Sequence, residues 1–116
     1  MAGFLKRLFG GKGIMIPDAD KLEEGTARKV DIGDVLADGR QVLLCRTGGK
    51  VYALDSECPH AGGRLIPGPL VEGKYAVCPL HSYTFNPKTG AVVEGACKAA
   101  RTYKVRESGG QLELFM

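Results

Sequence analysis

The sequence predicts an all-β domain: an antiparallel, sandwich- or barrel-like base carrying a small inserted subdomain. Three observations support this. Short runs with a two-residue apolar period recur along the chain, and two pairs of them are joined by glycine-glycine turns, the arrangement of β-hairpins. Between those hairpins lies a segment rich in glycine and proline, from Cys58 to about His81, which holds both histidines of the protein. At 116 residues the chain is one domain, large enough for a real core but too short for a catalytic domain and a substrate domain together.

Residues 1–13 (MAGFLKRLFGGKG) form an N-terminal tail. Phe4, Leu5, Leu8 and Phe9 would share one face of a short amphipathic helix, with Lys6 and Arg7 opposite, a pattern suited to weak peripheral contact with a membrane or a partner. Two turns of helix are marginal alone, and Gly10, Gly11 and Gly13 interrupt them, so a flexible tail is the plainer expectation. The domain proper runs over 14–116. Asp20 and Glu23 are spaced as a capping pair for a single helical turn over 20–24, with Gly25 as its stop.

Strand patterning then takes over. Residues 40–46 and 50–54 flank Thr47-Gly48-Gly49 and are apolar on both faces, which places this hairpin centrally in the base. Residues 102–106 and 111–115 alternate about Ser108-Gly109-Gly110 as a second hairpin with one face to the core. Shorter strands are expected at 27–31, 74–77, 83–85 and 91–93, the last two divided by Asn86-Pro87-Lys88-Thr89-Gly90.

Composition excludes several functions. With 44% hydrophobic and 25% charged residues the chain has the balance of a water-soluble globule, and no stretch is long enough to span a bilayer. The formal charge of +3 comes from Lys6, Arg7 and Lys12. The 13 remaining basic residues match the 13 acidic ones, so the domain has no nucleic-acid footprint. The N-terminal stretch has neither an apolar signal core nor a small-residue cleavage site, which points to a cytoplasmic setting with the four cysteines reduced. Cys45, inside Val42-Leu43-Leu44-Cys45, reads as a buried structural thiol; Cys97 falls in a loop.

The chemistry is concentrated in Cys58-Pro59-His60 and Cys78-Pro79-Leu80-His81. Each places one thiol and one imidazole on a proline-stiffened turn, and the 17 residues between His60 and Cys78 allow the chain to leave and return. Two such loops can clamp an iron–sulfur cluster, Cys58 and Cys78 on one iron, His60 and His81 on the other. A Cys₂His₂ zinc site uses the same residue types, but zinc sites favour like ligands in closely spaced pairs, whereas here each pair is mixed.

These motifs resemble those of the Rieske ferredoxins, and the similarity runs from about Ile14 to the carboxyl terminus. It rests on Tyr52-Ala53-Leu54, Cys58-Pro59-His60-Ala61-Gly62-Gly63, Gly68 to Val71, Cys78 through Phe85, Thr89-Gly90 and Tyr103-Lys104-Val105. The resemblance implies the Rieske fold, one [2Fe-2S] cluster and a cluster-binding subdomain over about 58–85. It also implies electron transfer rather than catalysis, from a reductase to a terminal oxygenase. A small-subunit-like role beside a nitrite reductase, and a module whose metal site is structural or redox-sensing, are the alternatives.

Respiratory members of the wider family join an extra cysteine from each loop in a disulfide; here those positions are Gly63 and Leu80. Tyr83 and Phe85 replace the serine and tyrosine that donate to cluster sulfurs there, which places this chain with the soluble, low-potential branch. The proline that often covers the cluster is replaced within Gly95-Ala96-Cys97-Lys98-Ala99-Ala100. Leu65, Ile66, Pro67, Leu80 and Tyr83, with Arg64 at the edge, are candidates for an apolar docking rim.

Overall fold

A computed structural model describes residues 13–33, 40–59, 63–80 and 82–115. The N-terminal tail ahead of Gly13 lies outside them. Ten strands follow one another: β1 (Gly13–Ile16), β2 (Thr26–Ile32), β3 (Arg40–Thr47), β4 (Lys50–Asp55), β5 (Gly68–Pro69), β6 (Ala76–Cys78), β7 (Tyr83–Phe85), β8 (Val92–Glu94), β9 (Thr102–Ser108) and β10 (Gln111–Phe115). Seven form an antiparallel sheet in the order β1-β10-β9-β4-β3-β2-β5, and β6-β7-β8 form a second, smaller sheet. This is the all-β base with an added small sheet that the patterning predicts.

Both hairpins close as the glycines require. Thr47 pairs with Lys50, and Ser108 with Gln111, leaving two-residue loops of Gly48-Gly49 and Gly109-Gly110. All four have positive φ, between 58° and 81°, as a type I′ turn demands at both central positions. The Glu24 carboxylate accepts the Gly48 and Gly49 N–H groups at 2.7 and 2.9 Å, tying the first hairpin to the segment before β2.

The β3–β4 hairpin is apolar on both faces because it separates two cores. Val42, Leu44, Val51 and Ala53 face Ile16, Leu112 and Leu114 in the base. Leu43, Cys45 and Leu54, one residue out of phase, join Cys58, Leu65, Cys78 and Phe85 in a second core beneath the small sheet. The pleat alone makes this division, since successive side chains point to opposite faces.

Two local expectations are corrected. The helical turn is a 3₁₀ turn at Ala19–Lys21, not 20–24, and its first flanking residue, Asp18, makes no side-chain cap. Arg46 holds it instead, donating to the carbonyls of Leu22 (2.6 Å) and Ala19 (3.1 Å). On β10 the alternation fails at Glu113, which is buried, because Arg106 on the neighbouring strand covers its carboxylate at 2.7 Å.

Candidate metal centre

The first motif begins where β4 ends. Ser56, fully buried, donates its N–H to the Gln41 carbonyl (3.0 Å) and its hydroxyl to Gln41 Oε1 (3.2 Å), fixing the loop base to β3. Leu65 donates to the Ser56 carbonyl and Cys58 to the Gly63 carbonyl, both at 2.8 Å, and Glu57 bridges Arg64. The chain therefore leaves and returns side by side, with Cys58 just inside the closure. The second motif is a hairpin. Cys78 pairs with Tyr83, leaving residues 79–82 as its loop, and Ser82 takes a left-handed φ of 55° at its exit.

The two loops meet at Gly63. A Cβ there would lie 2.5 Å from Cys78 Sγ and 3.4 Å from Leu80 Cβ, so the glycine backbone rests directly on the second loop. Cys58 and Cys78, 20 residues apart in sequence, thus share one buried core. The candidate ligands His60 and His81 lie outside the described residues. The two loop positions that carry no cysteine here, Gly63 and Leu80, adjoin one another, and Cys45, Cys78 and Cys97 are free thiols.

The donor chemistry fits an iron–sulfur cluster. Two buried thiols from separate loops share one core, with Cys78 Sγ against the Gly63 backbone, and a thiolate placed there calls for a metal to balance its charge. The same core contains a thiol that behaves differently. Burial pushes the Cys45 thiol from 9.0 up to about 12. The folded chain thus keeps a proton that the unfolded chain releases above pH 9, so this contribution is intact below pH 9 and is lost as pH climbs toward 12. Over that range Cys45 lowers stability by up to ~4 kcal/mol. Denaturant titrations at several pH values should show this loss in the wild type and a flatter alkaline limb in Cys45→Ala.

The surroundings refine several sequence expectations. Leu65 is fully buried and belongs to the core, not to an exposed rim, whereas Ile66 and Leu80 are 40% and 43% exposed. Phe85 is a fully buried side chain of the same core. Gly95, at φ 129°, lies against the Tyr83 ring, and Cys97 packs against the core. Neither Ser56 nor Gly95 carries a sequence signal of its own; the Gly62-Gly63 pair at the motif's end was the readable trace of the loop contact.

A family model described as Rieske [2Fe-2S] domain matches residues 13–106. The ferredoxin component of the naphthalene 1,2-dioxygenase/salicylate 5-hydroxylase systems of Ralstonia sp is 33% identical over 98 residues, covering 84% of this chain and 88% of that protein. Among solved structures, the ferredoxin of carbazole 1,9a-dioxygenase from Nocardioides aromaticivorans IC177 superposes with a TM-score of 0.76 at 28% identity, covering 90% of this chain and 98% of that one. A chain from a complex of reduced oxygenase and oxidised ferredoxin in carbazole 1,9a-dioxygenase gives 0.74 at 25% identity, covering 89% and 92%.

Proposed function

Because the chain belongs to the Rieske [2Fe-2S] domain family, we propose that Cys58, His60, Cys78 and His81 hold its single cluster and that it carries electrons from a reductase to a terminal oxygenase. Electron transfer is the role of its ferredoxin relatives and of this chain, which is a component of an oxidoreductase system and not itself a catalyst. When bound, the [2Fe-2S] cluster supplies a one-electron couple. The observation that carries the ligand assignment is the seating of Gly63 on Cys78 Sγ, which brings the two cysteine loops together.

In this reading Cys58 and Cys78 bind the inner iron and His60 and His81 the outer one, within a cluster-binding unit over about 58–85 of a domain spanning 14–116. Buried Leu65 and Phe85 keep water from the thiolate side, and exposed Ile66, Pro67 and Leu80 give an oxygenase an apolar surface. The complex of oxygenase and ferredoxin among the structural neighbours supports that partner. Free thiols at Cys45, Cys78 and Cys97 agree with a cytoplasmic location, and no helix of the described residues is long and apolar enough to cross a membrane.

The test is electron flow: purified protein, with the reductase and oxygenase of a related dioxygenase system, should support turnover that stops when it is omitted. Its potential should lie near the lower end of the Rieske range, about −150 mV, because Tyr83 and Phe85 leave out two donors to cluster sulfur. Voltammetry above about +100 mV would contradict the low-potential assignment. Phe85→Tyr should raise the potential, since a hydroxyl in that closed core has sulfur as an acceptor within the site.

A further inference from the structure

Beside Pro59, the residue between Cys58 and His60, a cleft of about 320 Å³ opens between the first motif and the segment ahead of β9. Its charges do not cancel. Asp55 is taken by Arg40 (3.3 Å) and by the Tyr103 hydroxyl (3.4 Å), and its other oxygen accepts the Glu57 N–H (3.2 Å). Glu57, the second carboxylate of the lining, stands across a backbone bridge from Arg64 and forms no ion pair among the described residues. Lys98 and Arg101 remain, both exposed, and neither forms an ion pair among the described residues. After the Arg40–Asp55 pair, Lys98 and Arg101 thus outweigh Glu57 by one positive charge at the wall of a polar cleft, next to a ligand-bearing motif.

Resting on the electron-carrier reading above, we propose that this cleft is an anion-receiving docking site, in which Lys98 and Arg101 take a surface carboxylate of the redox partner and hold it against the first motif. A concave site with a net positive charge focuses its field outward and raises the encounter rate with an anionic surface. Carboxylate suits the pair: Arg101 offers a planar fork for two parallel hydrogen bonds and Lys98 a point charge. The apolar surface at Ile66 and Leu80 contributes area, while the cleft sets orientation.

Stopped-flow oxidation of the reduced holoprotein tests this with two reagents of opposite charge, hexacyanoferrate(III) and hexaammineruthenium(III). In each case one electron passes from protein to reagent, reducing Fe(III) to Fe(II) or Ru(III) to Ru(II), with no bond made or broken. At low ionic strength the ratio of the anionic to the cationic rate constant should fall at least about tenfold in Lys98→Glu/Arg101→Glu, and the difference from wild type should disappear in about 0.5 M salt. Lys74→Glu/Lys88→Glu makes the same change in net charge beyond the opposite end of β6 and should leave the ratio within about twofold. An equal fall in both double variants, or none in the first, overturns the proposal.

A redox-inert readout separates this from the cluster assignment. Hexacyanocobaltate(III), titrated into labelled protein, should shift the amides of residues 98–101 saturably, and the Lys98→Glu/Arg101→Glu variant should lose the response. Shifts spread evenly over surface lysines would overturn the site. Protein that purifies without a cluster would instead defeat the electron-carrier reading while the cobalt titration still reports on the cleft.

Discussion

Serine at either Cys58 or Cys78 is expected to give colourless protein with its iron content reduced to background. The serine hydroxyl is ionised far less readily than a thiol and offers iron a harder ligand, so the loop retains its shape but loses its anchor. The contrast lies with the other two cysteines. Cys45→Ser puts a hydroxyl into a fully buried position on β3 and should cost about 1–3 kcal/mol of stability while the visible spectrum survives. Cys97→Ser, at a half-buried position packed on the same core, should change little. Absorbance and metal analysis on the four variants decide the matter: colour retained in Cys78→Ser and lost in Cys97→Ser would move the ligand to Cys97.

Gly63→Ala should be nearly as damaging, although it alters no candidate ligand. The added methyl would stand 2.5 Å from Cys78 Sγ, well inside van der Waals contact, and the obstacle is itself a candidate ligand in a closed core. Either the loops part or the thiol turns away, and both spoil a two-loop site. Overpacking of this kind costs about 1–3 kcal/mol, roughly 5–15 °C in Tm for a domain this size. Cluster occupancy should fall with it. Gly48→Ala is the matched control: at φ +64° it carries backbone strain, but nothing lies within 4 Å, so it should lower Tm modestly and keep full colour. Shortening Leu80 to alanine in the Gly63→Ala background should not rescue occupancy, because the closest atom is the sulfur. Normal occupancy in Gly63→Ala would mean that the loops separate without harm.

Where the chain's own chemistry forces a local outcome, the sequence was readable. The Gly48-Gly49 and Gly109-Gly110 turns admit only residues tolerant of positive φ, so both hairpins were visible, and Tyr83–Phe85 came through residue for residue. β1 and β5 were not visible as strands. Gly13–Ile16 has no alternation, and Gly68–Pro69 is only two residues long and pairs solely because Thr26 and Ala27 lie alongside. The 3₁₀ turn slipped for a related reason: its position is set by Arg46, a residue 24 positions beyond Leu22, rather than by any cap in the segment itself.

At the site, motif spacing pointed to Cys58 and Cys78, and the structure brings both into one buried core. What sequence does not encode locally is which side of a loop residue faces inward. Leu65 and Ile66 are neighbours of similar hydrophobicity, yet one is sealed and the other exposed, and only the return of the chain to Ser56 distinguishes them. Glu113 carries the same lesson, because its burial depends on Arg106 across the strand.

The strand that separates the two cores also bears on when the cofactor arrives during the life of the molecule. Val42 and Leu44 complete their packing with β1, β4 and β10, none of which contributes a cysteine to the site, whereas the opposite face of the strand depends on Cys58 and Cys78. Half of the protein can therefore be finished before any iron is present, and the unfinished half hangs from a wall already in place. Such a chain offers an incoming cluster two loops hanging from a finished wall, so removal of iron should loosen residues 58–85 toward hydrogen exchange while the two base hairpins keep their protection.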